Sequence, residues 1–351
     1  MAYVTESRFF LLGRTFYPVY MFFRNRTIPA QDFEDIIVYC DYYTWHSESQ
    51  WRRGHSDNPL LGFYESNDKD IVDQHVRWAE EFGIDVLKIE YIPQFDESVK
   101  NFTQNLSSVK GSQLKFCFMY DSRLRFESAG YKNPPYNFDE ETIYSTFTDD
   151  LDKISEAYFG NENYFKIDGK PVLWIYVARD FSGNYRKAIA DARKLMEENG
   201  YEVYLVGDAV FWNYRFGTIS SFDAVSCYSA YGGRPQNTEE FGQRLKFLYL
   251  VWKIAASALS KDFIPSGLPA YDDTCLSAER PPLPVLKGTP DEFKEQLEIL
   301  SGFLDPVDIL PDISQVSIAT FNEHQEGTSV EPSVEWKFER IKQIPEVFGY
   351  N

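Results

Sequence analysis

The chain has 351 residues, with 54 acidic and 35 basic side chains and a formal charge of −19. That length suits one large α/β barrel or two ordinary domains. The acidic balance argues against nucleic acid or anionic membrane as partners, since both need a basic face, and leaves neutral glycans compatible.

In chain order, residues 1–34 read as a lead-in segment. The apolar stretch 16–23 within it is short, contains Pro18 and lies between Arg14 and Arg24. It fits neither a secretion signal nor a membrane span. Without a clear signal peptide, the expected location is cytoplasmic, virion-associated or reached by unconventional export. Apolar runs predict strands at 35–43, 84–92, 114–121, 171–178, 202–209, 222–231, 262–269 and 315–321. Amphipathic patterns predict helices at 69–82, 140–159, 185–199, 238–259, 290–303 and 333–343. Gly83 and Gly200 stand just past two of them, where a C′ glycine is expected. Strands alternating with helices imply a parallel sheet, and eight such units imply a (β/α)₈ TIM barrel with extended βα loops. The expectation is one catalytic barrel domain over 1–351, with no linker or low-complexity segment dividing it.

Function in such a barrel sits on the loops after the strands. The polar residues ending each predicted strand are therefore candidates: Asp41 and Tyr42, Glu90 and Tyr91, Tyr120 and Asp121, Tyr176, Asp208, Tyr228 and Tyr231, Asp272 and Asp273, then Glu323 and Glu326. The long segment 44–68 adds Trp45 and His55, and loops of that length are usually functional. Trp212, Tyr228 and Tyr231 are candidate platforms for sugar rings, with barrel-top packing as the alternative. The four cysteines and four histidines are scattered without metal-ligand spacing, and no glycine-rich phosphate loop occurs. No metal and no cofactor are expected.

The most informative segment is 321–332, FNEHQEGTSVEP, directly after the last predicted strand. It carries Glu323 and Glu326 three residues apart, then Gly327, then Glu331. Residues i and i+3 of an extended strand face opposite ways. The chain must therefore turn near Asn322 for the two carboxylates to converge, and Gly327 permits that turn. Paired carboxylates at a strand's C-terminal end are the usual equipment for breaking glycosidic bonds. Glu331, before Pro332, reads as a structural acid that caps the last helix or bonds backbone amides.

This segment resembles a signature of glycoside hydrolase family 99, the endo-α-mannosidase family, approximately SFNEWHEGTxIEP. Phe321, Asn322, Glu323, Glu326, Gly327, Thr328, Glu331 and Pro332 match, whereas His324 and Gln325 depart from a Trp-His pair. A looser match covers Tyr43, Trp45, Pro59, Gly62, Tyr64, Ser66 and Asp68. The resemblance implies a (β/α)₈ barrel and a retaining, endo-acting α-glycosidase that needs no metal. It further implies that Glu323 deprotonates the sugar's own 2-hydroxyl, giving a 1,2-anhydro sugar, and that Glu326 is the acid and then the base. Glu326 would then need a raised pKa from carboxylate neighbours and partial burial. The sequence reading thus nominates Glu323 and Glu326 as catalytic. It nominates Tyr43, Trp45, His55, Tyr64, Glu90, Asp121, Tyr176, Trp212, Tyr228, Tyr231, Asp272 and Asn322 as substrate-binding. A glycan-assembly transglycosylase using the same site and a catalytically silent glycan-binding barrel are the alternatives. Oligomeric state carries no sequence signature here.

Overall fold

The computed structural model describes residues 35–109, 111–233, 237–308 and 310–349. The lead-in segment, with its apolar stretch 16–23, lies outside them. Eight parallel strands follow one another around a ring: β1 (Asp35–Tyr42), β2 (Val86–Tyr91), β3 (Lys115–Tyr120), β4 (Lys170–Ile175), β5 (Tyr204–Asp208), β6 (Ala224–Ser226), β7 in two pieces (Asp262–Phe263 and Ser266–Gly267) and β8 (Leu310–Ile318). β8 returns beside β1, from Asp35 opposite Ile313 to Cys40 opposite Ile318. Pro265 has no N–H to give a ladder, and it interrupts β7. The ring still closes there. The first piece of β7 pairs with β6, the second pairs with β8, and the carbonyl of Pro265 accepts from Ser317 N–H at 2.9 Å.

The strands read as continuous apolar runs because both of their faces are covered. All six residues of β2 are buried. Helices form the outer layer: α1 (Glu48–Trp51), α2 (Lys69–Glu81), α3 (Asp96–Ser108), α4 (Ser122–Ser128), α5 (Glu141–Tyr158), α6 (Tyr185–Glu198), α7 (Thr238–Ser257), α8 (Pro290–Ser301) and α9 (Gln343–Phe348). Their starts are chemically marked. Asp68, Asp121 and Asn237 accept main-chain N–H bonds at the heads of α2, α4 and α7, and Thr289 with Glu292 makes a capping box on α8. Among the described residues, no helix is long and apolar enough to cross a membrane.

Two elements differ from expectation. The predicted strand 222–231 is β for three residues only; beyond them Tyr228 turns to the barrel mouth and Tyr231 packs on Phe241 and Tyr271. A 3₁₀ turn, Phe216–Ser221, connects β5 to β6. The predicted helix 333–343 is instead a run of turns, with Lys337 at φ 53° and bridged back to Ser333, and α9 begins only at Gln343. A left-handed residue inside the apolar pattern stops helix propagation.

The barrel interior is not wholly apolar. Lys88 from β2 lies fully buried, 3.8 Å over the ring of Trp174, 2.8 Å from Ser317 Oγ and 3.2 Å from Asp41. Burial pushes the Asp41 carboxyl up to about 6, against the opposing pull of Lys88.

Candidate active site

The segment after β8 leaves the barrel and folds back on itself. Thr320 N–H donates to Thr328 O (2.9 Å), Val330 N–H to Thr320 O (2.9 Å) and Glu331 N–H to Phe321 O (2.7 Å). Residues 321–330 are thereby tied into a tight return loop. Gly327 takes φ 66°, and a Cβ there would lie 2.7 Å from Ser56 Oγ. The loop brings Glu323 and Glu326 to one cavity of about 320 Å³ at the C-terminal mouth of the barrel. Tyr43, Trp45, Glu90, Asp121, Tyr176 and Tyr228 line the same cavity.

Each carboxylate there has a distinct environment. Glu323 is buried; it accepts from Gln325 N–H at 2.8 Å, and its own N–H donates to Thr320 Oγ1 at 2.8 Å. Burial first, then the charge of Glu326, pushes its pKa up to about 7. Glu326 is less buried and is held in an ion pair by Arg280. The sequence expectation put the carboxyl held up by burial and like charge at Glu326, and the structure puts it at Glu323. Glu323 points into the barrel mouth, while Glu326 sits nearer the rim, within reach of a guanidinium from another loop. Glu90 and Asp121 are both buried and hydrogen-bonded to each other. Burial and then Asp121 raise the Glu90 value, and burial raises that of Asp121 against the pull of the Glu90 bond. Two acids in that arrangement share a proton more readily than they both ionise.

The aromatic wall is built from residues far apart in sequence. Tyr43 stacks on Trp45 with ring centres 4.4 Å apart, and its hydroxyl donates to the Tyr228 hydroxyl at 3.0 Å. The ring of Tyr228 meets Tyr176 edge-on at 5.6 Å. Sugar C–H faces pack well against such a surface.

Six nominated residues do not line the cavity. Asn322 is buried behind it: Oδ1 accepts from Tyr43 N–H (2.9 Å) and Nδ2 donates to Tyr43 O (3.0 Å), which ties the β8 loop to the end of β1. Tyr64 is buried and donates to Glu331 (2.8 Å). His55 bonds Asn58 (3.2 Å) and packs on Phe63. Trp212 donates to Ala230 O (2.7 Å) under Arg244, and Tyr231 donates to Pro284 O. Asp272 accepts from Thr274 N–H (3.1 Å) and Thr274 Oγ1 (2.7 Å). Each of the six spends at least one polar side-chain atom on the scaffold.

Several lining residues escaped the sequence reading. Gln50 and Arg53 come from the β1 loop, Arg123 from α4, and Glu279 and Arg280 from the loop between β7 and α8. Gln325 also lines the cavity and donates to Gln50 O at 3.1 Å. Residue type alone gave no signal for these, because exposed arginines and glutamates are the ordinary furniture of loops.

His324 and Glu331 form the support behind the loop. His324 is fully buried, with Nδ1 2.6 Å from Asp57 and Nε2 2.9 Å from Glu331. Burial alone would lower the pKa of His324, but the bonds to Asp57 and Glu331 outweigh it and hold it up at about 10. Glu331 also bonds His75 Nε2 at 3.2 Å, and His75 Nδ1 lies 2.9 Å from the Tyr42 hydroxyl. Burial would raise Glu331, yet His75 and His324 pull it well below the usual carboxylate range. Glu331 is therefore structural as expected, but through two histidines and Tyr64 rather than through a helix cap or backbone amides. His46 stacks on Trp51 and is kept low, at about 3, by burial and then by the charge of His324. Among the described residues, no group of three or more His, Cys, Asp or Glu side chains is arranged to hold a metal ion.

Comparison with known proteins agrees with this architecture. A protein named "Glycoside hydrolase-like protein" superposes with a TM-score of 0.75 at 19% identity, over 94% of this chain and 98% of its own. The endo-α-mannosidase of glycoside hydrolase family 99 from Bacteroides thetaiotaomicron superposes in two structures. In complex with bis-tris-propane the TM-score is 0.64 at 19% identity, over 92% of this chain and 97% of that one. The second structure gives 0.65 at 18% identity, over 89% and 96%. No curated protein matches the chain. The family profile described as "Glycosyltransferase WbsX" matches residues 51–344. Matched over that span, the chain belongs to the WbsX glycosyltransferase family, and its fold is that of the family 99 endo-α-mannosidase barrel.

Proposed function

We propose that the protein is a glycoside-acting enzyme: a retaining, endo-acting α-glycosidase for α-mannosides or related α-linked glycans. The observation that carries this reading is the convergence of Glu323 and Glu326, from one return loop, on an aromatic-walled cavity at the barrel mouth. In the first step Glu323 takes the proton of the sugar's 2-hydroxyl. The freed oxygen bonds to the anomeric carbon as the bond to the leaving sugar breaks, and Glu326 gives its proton to the leaving oxygen. In the second step Glu326 takes a proton from water, the water oxygen opens the anhydro ring at the anomeric carbon, and Glu323 returns the proton to O2. A buried Glu323 poised at about 7 supports the base role, because proton transfer is most efficient near the working pH. Tyr43, Trp45, Tyr176 and Tyr228 would hold the rings, and Glu90 and Asp121 would bond sugar hydroxyls. Glycan is the partner in this reading, and neither metal nor cofactor enters it.

The experiment is a screen of α-linked oligosaccharides with product anomers followed by NMR. Release of an α-configured reducing end is expected, and a β-configured first product would overturn retention. A 2-fluoro analogue tests the internal nucleophile. It should bind without turning over and without labelling the protein, since it lacks the attacking oxygen. A stoichiometric adduct on Glu323 by intact mass spectrometry would instead indicate a direct glycosyl-enzyme. The family description as a glycosyltransferase favours one second reading, transfer to a sugar acceptor. Elongated products in the same screen, in place of free reducing ends, would establish it.

A further inference from the structure

Glu326 is gripped twice by the loop between β7 and α8. Asp272 N–H donates to its main-chain carbonyl at 2.7 Å, and Arg280 Nη2 donates to its Oε1. The same nitrogen of Arg280 lies 3.3 Å from Asp273 and 3.3 Å from the Tyr271 hydroxyl. Next to it, Glu279 accepts from Nε (2.8 Å) and Nη2 of Arg53, which reaches across from the β1 loop. One guanidinium nitrogen of Arg280 thus meets Glu326, Asp273 and Tyr271, while its neighbour Glu279 is clasped from across the cavity. The other titratable groups acting around the Glu326 carboxylate are Glu323, Tyr176, Tyr228 and Tyr271. None of these offers it a positive charge.

We propose that Arg280 is the positioning residue of Glu326, anchoring one carboxylate oxygen and setting a positive charge beside it. The proposal rests on the acid–base reading of Glu326 above. Among the described residues no hydrogen bond is made to Oε2, so the anchored group retains one oxygen for substrate.

The test needs no glycan. Carboxyl resonances of ¹³C-labelled glutamate are titrated by NMR, and the Glu326 signal is assigned by its loss in Glu326→Gln. Arg280→Met should move the Glu326 titration upward by about one pH unit or more, the scale of an adjacent opposite charge. Glu279→Gln removes the clasp to Arg53 but leaves the Arg280 charge, and should shift Glu326 far less. An unchanged titration in folded Arg280→Met would overturn the proposal. An equal shift in Glu279→Gln would also overturn it, by tracing the effect to a loosened loop. Should the methionine variant not fold, Arg280→Gln carries the same expectation and the same refutation. On an active substrate with a poor leaving group, the alkaline limb of kcat/KM should rise with the Glu326 titration. Inactivity on every glycan would remove the glycosidase reading and leave the NMR result standing.

Discussion

Glu323→Gln and Glu326→Gln should each lower kcat/KM by at least about 10²-fold, the scale of general acid–base catalysis, while the fold stays intact. The two losses should differ in character. An aryl glycoside with a good leaving group needs little protonation, so it should partly spare the first step in Glu326→Gln. It should not rescue Glu323→Gln, because the 2-hydroxyl still has no base. The measurement is kcat/KM for both variants on paired substrates of good and poor leaving group, with circular dichroism as the fold control. Near-normal turnover of the poor-leaving-group substrate by Glu326→Gln would remove that residue from the chemistry.

His324→Ala should destabilise the protein by about 3–5 kcal/mol, the usual cost of removing one partner from a buried ion pair. His324 stands between Asp57 and Glu331 with no solvent contact, so its loss leaves two carboxylates facing low-dielectric surroundings. Its folded-state value of about 10 lies above the ordinary 6.5. The associated stability is therefore fully present below pH 6.5 and is lost as pH rises through about 10. Glu331 has the opposite sign. Its depressed value contributes stability above the ordinary 4.5 that disappears as pH falls. Denaturant titrations should thus show the gap between wild type and His324→Ala closing above about pH 10. A gap that stays constant from pH 6 to 11 would mean that His324 is neutral in the folded protein. His324 and Gln325, the two departures from the family 99 signature, fall on opposite sides of the loop. His324 holds the loop from behind, and Gln325 touches the cavity, so the second is the better candidate for altered specificity.

Local pattern carried most of the architecture. Apolar runs spaced by amphipathic helices counted out eight units, and Gly83 and Gly200 marked helix ends, because these signals act over a few residues. The placement of Glu323 and Glu326 was legible for the same reason: the end of a strand, a three-residue spacing and a glycine turn are all local facts. Where local signals competed, the reading failed. The run 222–231 is as apolar as a strand, yet its Tyr228 serves the barrel mouth, and the pattern at 333–343 is broken by the left-handed Lys337. Direction was also illegible. Tyr43, Tyr176 and Tyr228 reach the cavity while Tyr64, Trp212 and Tyr231 spend their polar atoms on the scaffold, and residue type is the same in both groups. The electrostatics of the site belong wholly to ring closure. Asp57 meets His324 across 267 positions, and Arg280 meets Glu326 across 46. Such pairs exist only because β8 returns to β1 and β7 bridges β6 to β8, which brings the strand-end loops over one mouth. Which of two neighbouring glutamates is buried and which is ion-paired was therefore decided by packing among distant loops, and not by any spacing along the chain.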